Sequence, residues 1–447
     1  MTVWDSARVA AALGVAGPRG VRFPGGVRTD TRHLVPGALF VALHGERFDA
    51  HAFLAQAKAQ GAAAAVVRQG TPPLEGLPFF EVADTLAALG LLARARRRWL
   101  PPGSPVVAVT GSSGKTSTKE LIRAVLGTTF RVHATGGNLN NLVGVPLTIL
   151  GAADDAEALV VEAGASVPGE IARLRDVIEP TIAVVTNVGY AHVAGFGSLA
   201  GVMREKLALT EGTRVAVVGT DPPELAREAR RRAPTVVAGT GPDADVRPDR
   251  AELDDGGHPR ITWRGQTGTL PVVGFHQIEN AMLALAVGRE VGADPARAVA
   301  ALSSVQLPAG RGAVLSLGGL LVIDDTYNAN PGSLHWAVKF AHWLAQRRER
   351  PLAVVVGSML ELGPESARLH ALAAAEIVAL APALVAAVGE FVPAFEPHRM
   401  ALGRRLVVAP DADALGPRLK AALTGNEIVL LKASRGVALE RVLPHLN

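Results

Sequence analysis

Residues 105–120 read PVVAVTGSSGKTSTKE. The run Pro105 to Val109 is apolar and strand-like, and the glycine-rich turn Gly111-Ser112-Ser113-Gly114 leads straight into a stretch that reads as a helix. Strand, tight turn and helix in that order suit phosphate. Glycines let backbone N–H groups converge on phosphate oxygens, the helix presents its N-terminus to negative charge, and Lys115 adds a mobile cation. The Thr116 hydroxyl suits Mg²⁺, and Ser117 continues the binding segment. The loop departs from the usual G-x-x-x-x-G-K-[ST] spacing, because the position five before Gly114 is Val109. The bland alternative is a Gly-Ser turn before a helix. Gly-Lys-Thr in register after a strand favours a nucleotide loop.

Working outward, strand-like runs alternate with helices: Val106 to Val109, Ala158 to Val161, Ile182 to Val185 and Arg214 to Val218. Such alternation predicts a parallel sheet with helices on both faces. Residues 234–271 are polar and Gly-rich and read as an antiparallel excursion. Helices resume at His276 and continue to about Ser304, and Leu307-Pro308-Ala309-Gly310 marks a boundary. Beyond it, Leu321 to Ile323, Ala353 to Val356, Leu384 to Val388, Leu406 to Val408 and Ile428 to Leu431 repeat the alternation. No GxGxxG fingerprint accompanies them, so a nicotinamide site lacks its main support. Upstream, Ala38 to Leu43, a helix-like Ala50 to Gln60 and Ala62 to Val67 form one βαβ unit. A helix-like Asp84 to Leu100 then ends at Pro101-Pro102-Gly103. The reading is α/β with three domains: a small N-terminal α/β domain (1–100), a central P-loop ATPase-like parallel-sheet domain (101–309) and a C-terminal Rossmann-like domain (310–447). That agrees with a chain of 447 residues at about 150 residues per domain.

Composition narrows the function classes. Hydrophobic residues make up 49% of the chain, which leaves ample material for cores. Cysteine is absent, which excludes disulfides, thiolate catalysis and Cys-ligated zinc and leaves any metal to oxygen and imidazole ligands. The net charge of +4 is small for this length. Its two dense basic runs, Arg94 to Arg98 and Arg347 to Arg350, look like solvated helix ends. No basic stripe is interleaved with aromatics, so nucleic acid is not an expected partner. The first residues lack a basic segment followed by an apolar one, and no stretch reaches about 18 uninterrupted apolar residues. No membrane contact and a cytoplasmic location are expected, and a monomer, because no long heptad appears.

A phosphate loop does not tell a GTPase, kinase, motor or ligase apart. Glu162 stands at the end of an apolar strand, where open α/β sheets bind ligands. It is a candidate Mg²⁺ ligand, though a lone Glu there is as often solvated. His192 leaves another strand within a loop, where a lone histidine is usually structural. Lys206, taken alone, is a surface lysine in a helix starting after Ser198. His276 and Asn280 share one helix face, as buried bridging residues also would. The run Asp324-Asp325-Thr326-Tyr327-Asn328-Ala329-Asn330-Pro331 clusters two acids and two amides beyond a strand. Lys432-Ala433-Ser434-Arg435 leaves another strand with two cations.

With these pieces in order, the chain resembles the Mur ligase family along nearly its full length. The carrying residues are Thr110 to Thr116, Gly137 to Asn141, Glu162 to Ala165, Ala191-His192, His276 with Asn280, Gly310-Arg311 and Asp324 to Pro331. Arg28 to Arg32, Gly37 to Ala42 and Gly45 to His51 are similar to the family's UDP-binding N-terminal domain. The resemblance implies that Gly111 to Ser117 with Lys115, Asn280, Arg311 and Asp325 contact ATP, Asn280 at the adenine. It makes Thr116, Glu162 and His192 ligands for Mg²⁺. It aligns Lys206 with a lysine that family members carbamylate, which turns a cation into an oxygen ligand for a second Mg²⁺. Thr31, Asn138, Asn140, Asn328, Asn330, Lys432 and Arg435 become substrate contacts, and Lys115, Glu162, His192 and Lys206 the catalytic set. Thr31 stands where a serine is common, and Ala433 where glycine is expected.

Within the family, the Asn138 to Asn141, Gly195 to Ser198 and Asp325 to Pro331 runs point to an acceptor that is UDP-N-acetylmuramoyl-tripeptide and an amine that is D-alanyl-D-alanine. The chemistry implied is transfer of the ATP γ-phosphoryl group to the peptide carboxylate, then attack of the amine on the acyl phosphate. Catalysis is then mostly positioning and charge neutralisation. A sister ligase adding a single amino acid, a folylpolyglutamate synthase and a P-loop switch stay as alternatives. The missing Asp-Asn-Pro-Arg motif argues against the diaminopimelate-adding sister, the N-terminal domain against the folate enzyme, and the lack of a clean Asp-x-x-Gly against the switch.

Overall fold

Val106–Thr110, Ala158–Glu162, Ile182–Val185 and Val215–Val218 are buried at every residue. Strands apolar on both faces are what a sheet covered by helices on either side requires. The computed structural model describes residues 4–45 and 48–447, so Glu46 and Arg47 of the 45–51 stretch lie outside the described residues. The chain forms two compact units, 1–108 with 130–164 and 170–181, and 109–129 with 165–169 and 182–447. Val106–Thr110 starts in the first and ends in the second. No helix among the described residues is long and apolar enough to cross a membrane.

In the first unit, Val27–Arg28, Leu39–Val41, Ala64–Arg68 and Phe79–Val82 form a parallel sheet in that order. The expected βαβ unit is there, its helical part split into a 3-10 turn Ala50–Phe53 and a helix Leu54–Ala59. A second layer runs Val132–Ala134, Ala158–Glu162 and the start of Val106–Thr110. Helix Thr85–Arg97 is started by Asp84, whose side chain accepts from the N–H groups of Leu86 and Ala87.

The arginines at the end of that helix correct the reading of a solvated run. Arg96 is buried, and its guanidinium donates to the carbonyls of Ala152 at 2.6 Å and Ala153 at 3.0 Å. Arg97 donates to the carbonyls of Ile178 at 3.2 Å and Glu179 at 2.7 Å. Those acceptors lie at or just past the ends of helices Gly144–Leu150 and Glu170–Ile178, where the last carbonyls have no intrahelical donor. Arg98 and Arg94 hold the Glu179 carboxylate at 2.5 and 2.7 Å and keep its pKa down at about 2.

The second unit carries the end of Val106–Thr110, then Ile182–Val185, Val215–Val218 and Thr235–Val237, the last two steps parallel. Thr235–Val237 therefore belongs to the parallel sheet. The antiparallel excursion is confined to Arg250–Leu253, Pro259–Trp263 and Gln266–Thr269. A six-stranded sheet follows, in the order Ala313–Leu317, Leu320–Asp325, Ile428–Lys432, Leu352–Val356, Leu384–Ala387, Leu406–Val408. Ala313–Leu317 is absent from the strands read in the sequence. It is antiparallel at an edge and half exposed, so it lacks a buried apolar run, and it turns at Gly318-Gly319 with φ of 52° and 90°.

Candidate functional site

The second unit shapes the phosphate loop through two glycines. Gly111 has φ of 146° and Gly114 has φ of 78°. A Cβ at Gly111 would sit 1.9 Å from Thr186 Oγ1, and one at Gly114 2.7 Å from Asn280 Oδ1, so both side chains are sterically barred. Gly114 is the N-cap of helix Lys115–Leu126 and supplies no capping side chain. Helix starts of this kind favour an anion.

The rest of the loop is fastened to the segment after Ile182–Val185. Ser112 N–H donates to the Asn187 carbonyl at 3.1 Å and Ser113 N–H to Asn187 Oδ1 at 2.9 Å. Thr186 Oγ1 donates to the Ser113 carbonyl at 2.5 Å. Gly189 N–H donates to Ser112 Oγ at 2.9 Å. The N–H groups of Ser112 and Ser113 thus point at the scaffold, not with the others at one anion as the loop's sequence suggests. Asn187 carries this work, and only its place after a strand marks it in the sequence. Lys115 Nζ reaches back to the Gly111 carbonyl at 2.8 Å, and Thr116 and Ser117 are buried.

Two groups of residues far along the chain close on this loop. Asn330 caps helix Pro331–Arg347, its Oδ1 accepting from Ser333 N–H, while its Nδ2 donates to Ser113 Oγ at 2.9 Å and to the Ser112 carbonyl at 3.3 Å. The structure thus sets Asn330, read as a substrate contact, against the phosphate loop. Asn280, on helix His276–Glu290, is buried beneath Gly114, accepts from Thr118 Oγ1 at 3.1 Å and donates to Gln277 Oε1 at 3.0 Å.

Asp325 and Lys432 end neighbouring strands and pair with each other, Nζ to Oδ2 at 2.5 Å, and Lys432 also donates to the Asn328 carbonyl at 2.9 Å. Lys432 is buried, so the two cations read side by side part company: Arg435 is exposed beside Glu440 at 3.3 Å. His276 is half-buried near the Asp325–Lys432 pair, and desolvation pushes its pKa down to about 4. The Arg311 guanidinium carbon lies over the Tyr327 ring, 3.8 Å from its centroid. Asp324 spends its carboxylate locally, on the N–H and hydroxyl of Thr326. Ala433 is tolerated where glycine is expected because Gly357 faces it: a Cβ there would lie 2.9 Å from that of Ala433.

Also in this unit, His192 has φ of 55° and caps the short helix Val193–Phe196. Its Nδ1 lies 2.6 Å from Glu361 and 3.5 Å from Ser166 Oγ. Burial lowers the His192 pKa, and Glu361 opposes that. Lys206, on helix Leu199–Leu207, is completely buried with its ammonium 5.6 Å from the Phe196 ring centroid, which corrects the surface reading. In the first unit, Glu162 is buried at its strand end, its carboxylate accepts from Asn140 Nδ2 at 2.8 Å, and its N–H donates to Thr135 Oγ1 at 2.9 Å. Asn138 is exposed. Thr31 is buried and opens a 3-10 turn capped by Asp30, whose carboxyl Arg32 holds down at about 2.

No group of three or more His, Cys, Asp or Glu residues that could hold a metal is found among the described residues. Taken singly, the Thr116 hydroxyl and the buried Glu162 carboxylate are oxygen donors of the type that Mg²⁺ takes beside phosphate and water, and the His192 imidazole is a softer donor.

A nucleotide-type loop in a parallel α/β sheet, with Asn330 brought onto it from a second, mainly parallel sheet, defines a P-loop nucleotide-binding protein, and its relatives make it a ligase: the chain belongs to the Mur ligase family. The sequence pattern described as "Mur ligase middle domain" matches residues 109–288 and "Mur ligase, glutamate ligase domain" matches residues 310–435. UDP-N-acetylmuramoyl-tripeptide–D-alanyl-D-alanine ligases are similar to it: that of Bacillus subtilis is 36% identical over 94% of this chain and 93% of its own, and that of Escherichia coli 37% over 94% and 93%. Among solved structures, MurF of Acinetobacter baumannii superposes with TM-score 0.88 at 29% identity, covering 100% of this chain and 99% of that one. MurF of Thermotoga maritima in complex with ADP gives 0.82 at 29%, covering 94% and 96%.

Proposed function

We propose that this ligase joins D-alanyl-D-alanine to UDP-N-acetylmuramoyl-tripeptide at the expense of ATP. The observation that carries the reading is the phosphate loop held between Asn187 and Asn330, in a chain that matches ligases of that name over 94% of its length. A carboxylate resists attack by an amine, so the tripeptide carboxylate first takes the γ-phosphoryl group and the amine then displaces phosphate. In this reading Lys115 and the start of its helix bear the phosphate charge, and Arg311, Asp325 and Asn280 hold the nucleotide. Thr31, Asn138, Asn140, Asn328 and Arg435 serve the UDP-peptide and the dipeptide, while Lys432 acts by holding Asp325. Thr116, Glu162 and His192 would hold Mg²⁺, with a carbamylated Lys206 for a second ion, and the metal would neutralise charge on the transferring phosphoryl group. The same reading has the enzyme act as a monomer in the cytoplasm.

The direct test is ADP release by the purified protein with each co-substrate singly and together. Release is expected only with both UDP-N-acetylmuramoyl-tripeptide and D-alanyl-D-alanine present, and ADP formation indifferent to either sinks the reading. For the carbamate, Lys206→Ala is expected to lose at least about a hundredfold in rate and to regain part of it with added acetate or formate. A near-normal rate that these anions leave unchanged would return Lys206 to a packing role.

A further inference from the structure

Two non-glycine residues with left-handed backbone meet in the second unit: His192 with φ of 55° and Glu361 with φ of 65°. Such conformations are uncommon and persist where surrounding structure holds them. Glu361 lies in the loop that leaves strand Leu352–Val356, and its carboxylate is 2.6 Å from His192 Nδ1. Its carbonyl accepts from Ala194 N–H at 3.1 Å. Two residues on, Gly363 backs the same turn so closely that a Cβ there would lie 3.1 Å from Ala194 Cα. One loop thus grips both the side chain of His192 and the backbone just after it. Ser166 Oγ, at 3.5 Å from the same nitrogen, is the weaker partner.

We propose that Glu361 is a positioning residue for His192. A carboxylate accepts only, so it selects the imidazole tautomer with the proton on Nδ1 and leaves Nε2 as the lone-pair nitrogen, the form in which a histidine ligates a metal or accepts a proton. The inference rests on the ligase reading for the use made of His192. The orientation itself follows from the contact. It also makes the imidazole's alignment depend on a loop of the C-terminal sheet more than 150 residues away in sequence.

The test is carried out on the full chain with ¹⁵N-labelled histidine. His192 ring signals are assigned by their loss in His192→Asn, and their tautomer is read in the absence of substrates. The parent is expected to show the Nδ1–H form, Glu361→Gln to keep it through its amide oxygen, and Glu361→Ala to lose it. A second readout is Mn²⁺ affinity measured by EPR with a non-hydrolysable ATP analogue. It is expected to weaken about 10- to 100-fold in Glu361→Ala and less in Glu361→Gln. An Nε2–H form in the parent, or an alanine variant with unchanged tautomer and Mn²⁺ affinity, overturns the proposal. If the tautomer responds while ADP release ignores one co-substrate, the ligase reading falls and the orienting role of Glu361 stands.

Discussion

A Lys115→Ala variant is expected to turn over about a hundred- to a thousandfold more slowly than the parent while unfolding within a few degrees of it. The rate effect follows from what the loop offers an anion. Ser112 and Ser113 have committed their N–H groups to Asn187, so the cation of Lys115 and the start of its helix carry a larger share of the charge than the loop's sequence implies. Removing one aimed charge-stabilising group from such a site costs about 3–4 kcal/mol in the transition state. The fold should barely notice. Alanine is the better helix former, and the bond lost to the Gly111 carbonyl is worth about 1 kcal/mol. Lys115→Arg should not restore the rate, because a planar fork replaces a compact point charge. Steady-state ADP release beside thermal unfolding checks both halves, and a variant slowed less than about fivefold would remove Lys115 from the chemistry.

Lys432→Met is expected to lower stability by about 3 kcal/mol, because it strands one half of a buried pair, and to lower the unfolding midpoint by roughly 5–10 °C. Asp325 would lose its cation and the Asn328 carbonyl its donor. Asp325 keeps 22% of its side-chain surface exposed, which holds the loss to the lower end of the usual range. A double variant that also carries Asp325→Asn should recover part of the loss. The pH dependence adds a sharper check. In the parent, His276 titrates near 4 in the folded protein against 6.5 ordinarily, so between those values the unfolded chain binds a proton that the folded one does not. Stability therefore falls as pH drops from 6.5 towards 4. Lys432 pushes the His276 pKa down and Asp325 pushes it up, so deleting Lys432 raises it and shrinks that acid loss. Urea unfolding at both ends of this window should show parent and variant closer together at the acid end. A gap that widens there contradicts the placement of His276 beside the pair.

What could be read in advance shares one character. Ile182 to Val185 was legible to the residue because a short unbroken apolar run rich in β-branched residues is the local mark of a strand buried on both faces. The phosphate loop was legible because glycine, lysine and threonine at fixed offsets leave few other uses. Burial of charge was not legible. Lys206 sits on a helix whose pattern admits a surface lysine, and the Arg94 to Arg98 run has the composition of a solvated helix end. In the structure Lys206 is fully buried, and the run's arginines hold carbonyls and a carboxylate of residues more than 50 positions away.

The amino-acid order alone thus determined the alternation of strands and helices, the nucleotide loop and, through residues from Thr110 to Pro331, membership of the Mur ligase family. Periodicity and turn chemistry are local, and they survive in a one-dimensional string. Only the tertiary structure decided that Asn187 takes two of the loop's backbone N–H groups, that Lys432 answers Asp325 across 107 residues, and that Asn330 reaches Ser113 across 217. It also decided that Glu361 faces His192. The first two pairs form where neighbouring strands of one sheet end side by side, and the last two join loops that leave strands of two different sheets; sheet order and the packing of one sheet's loops on the other's set these contacts, and on both the spacing of residues along the chain is silent.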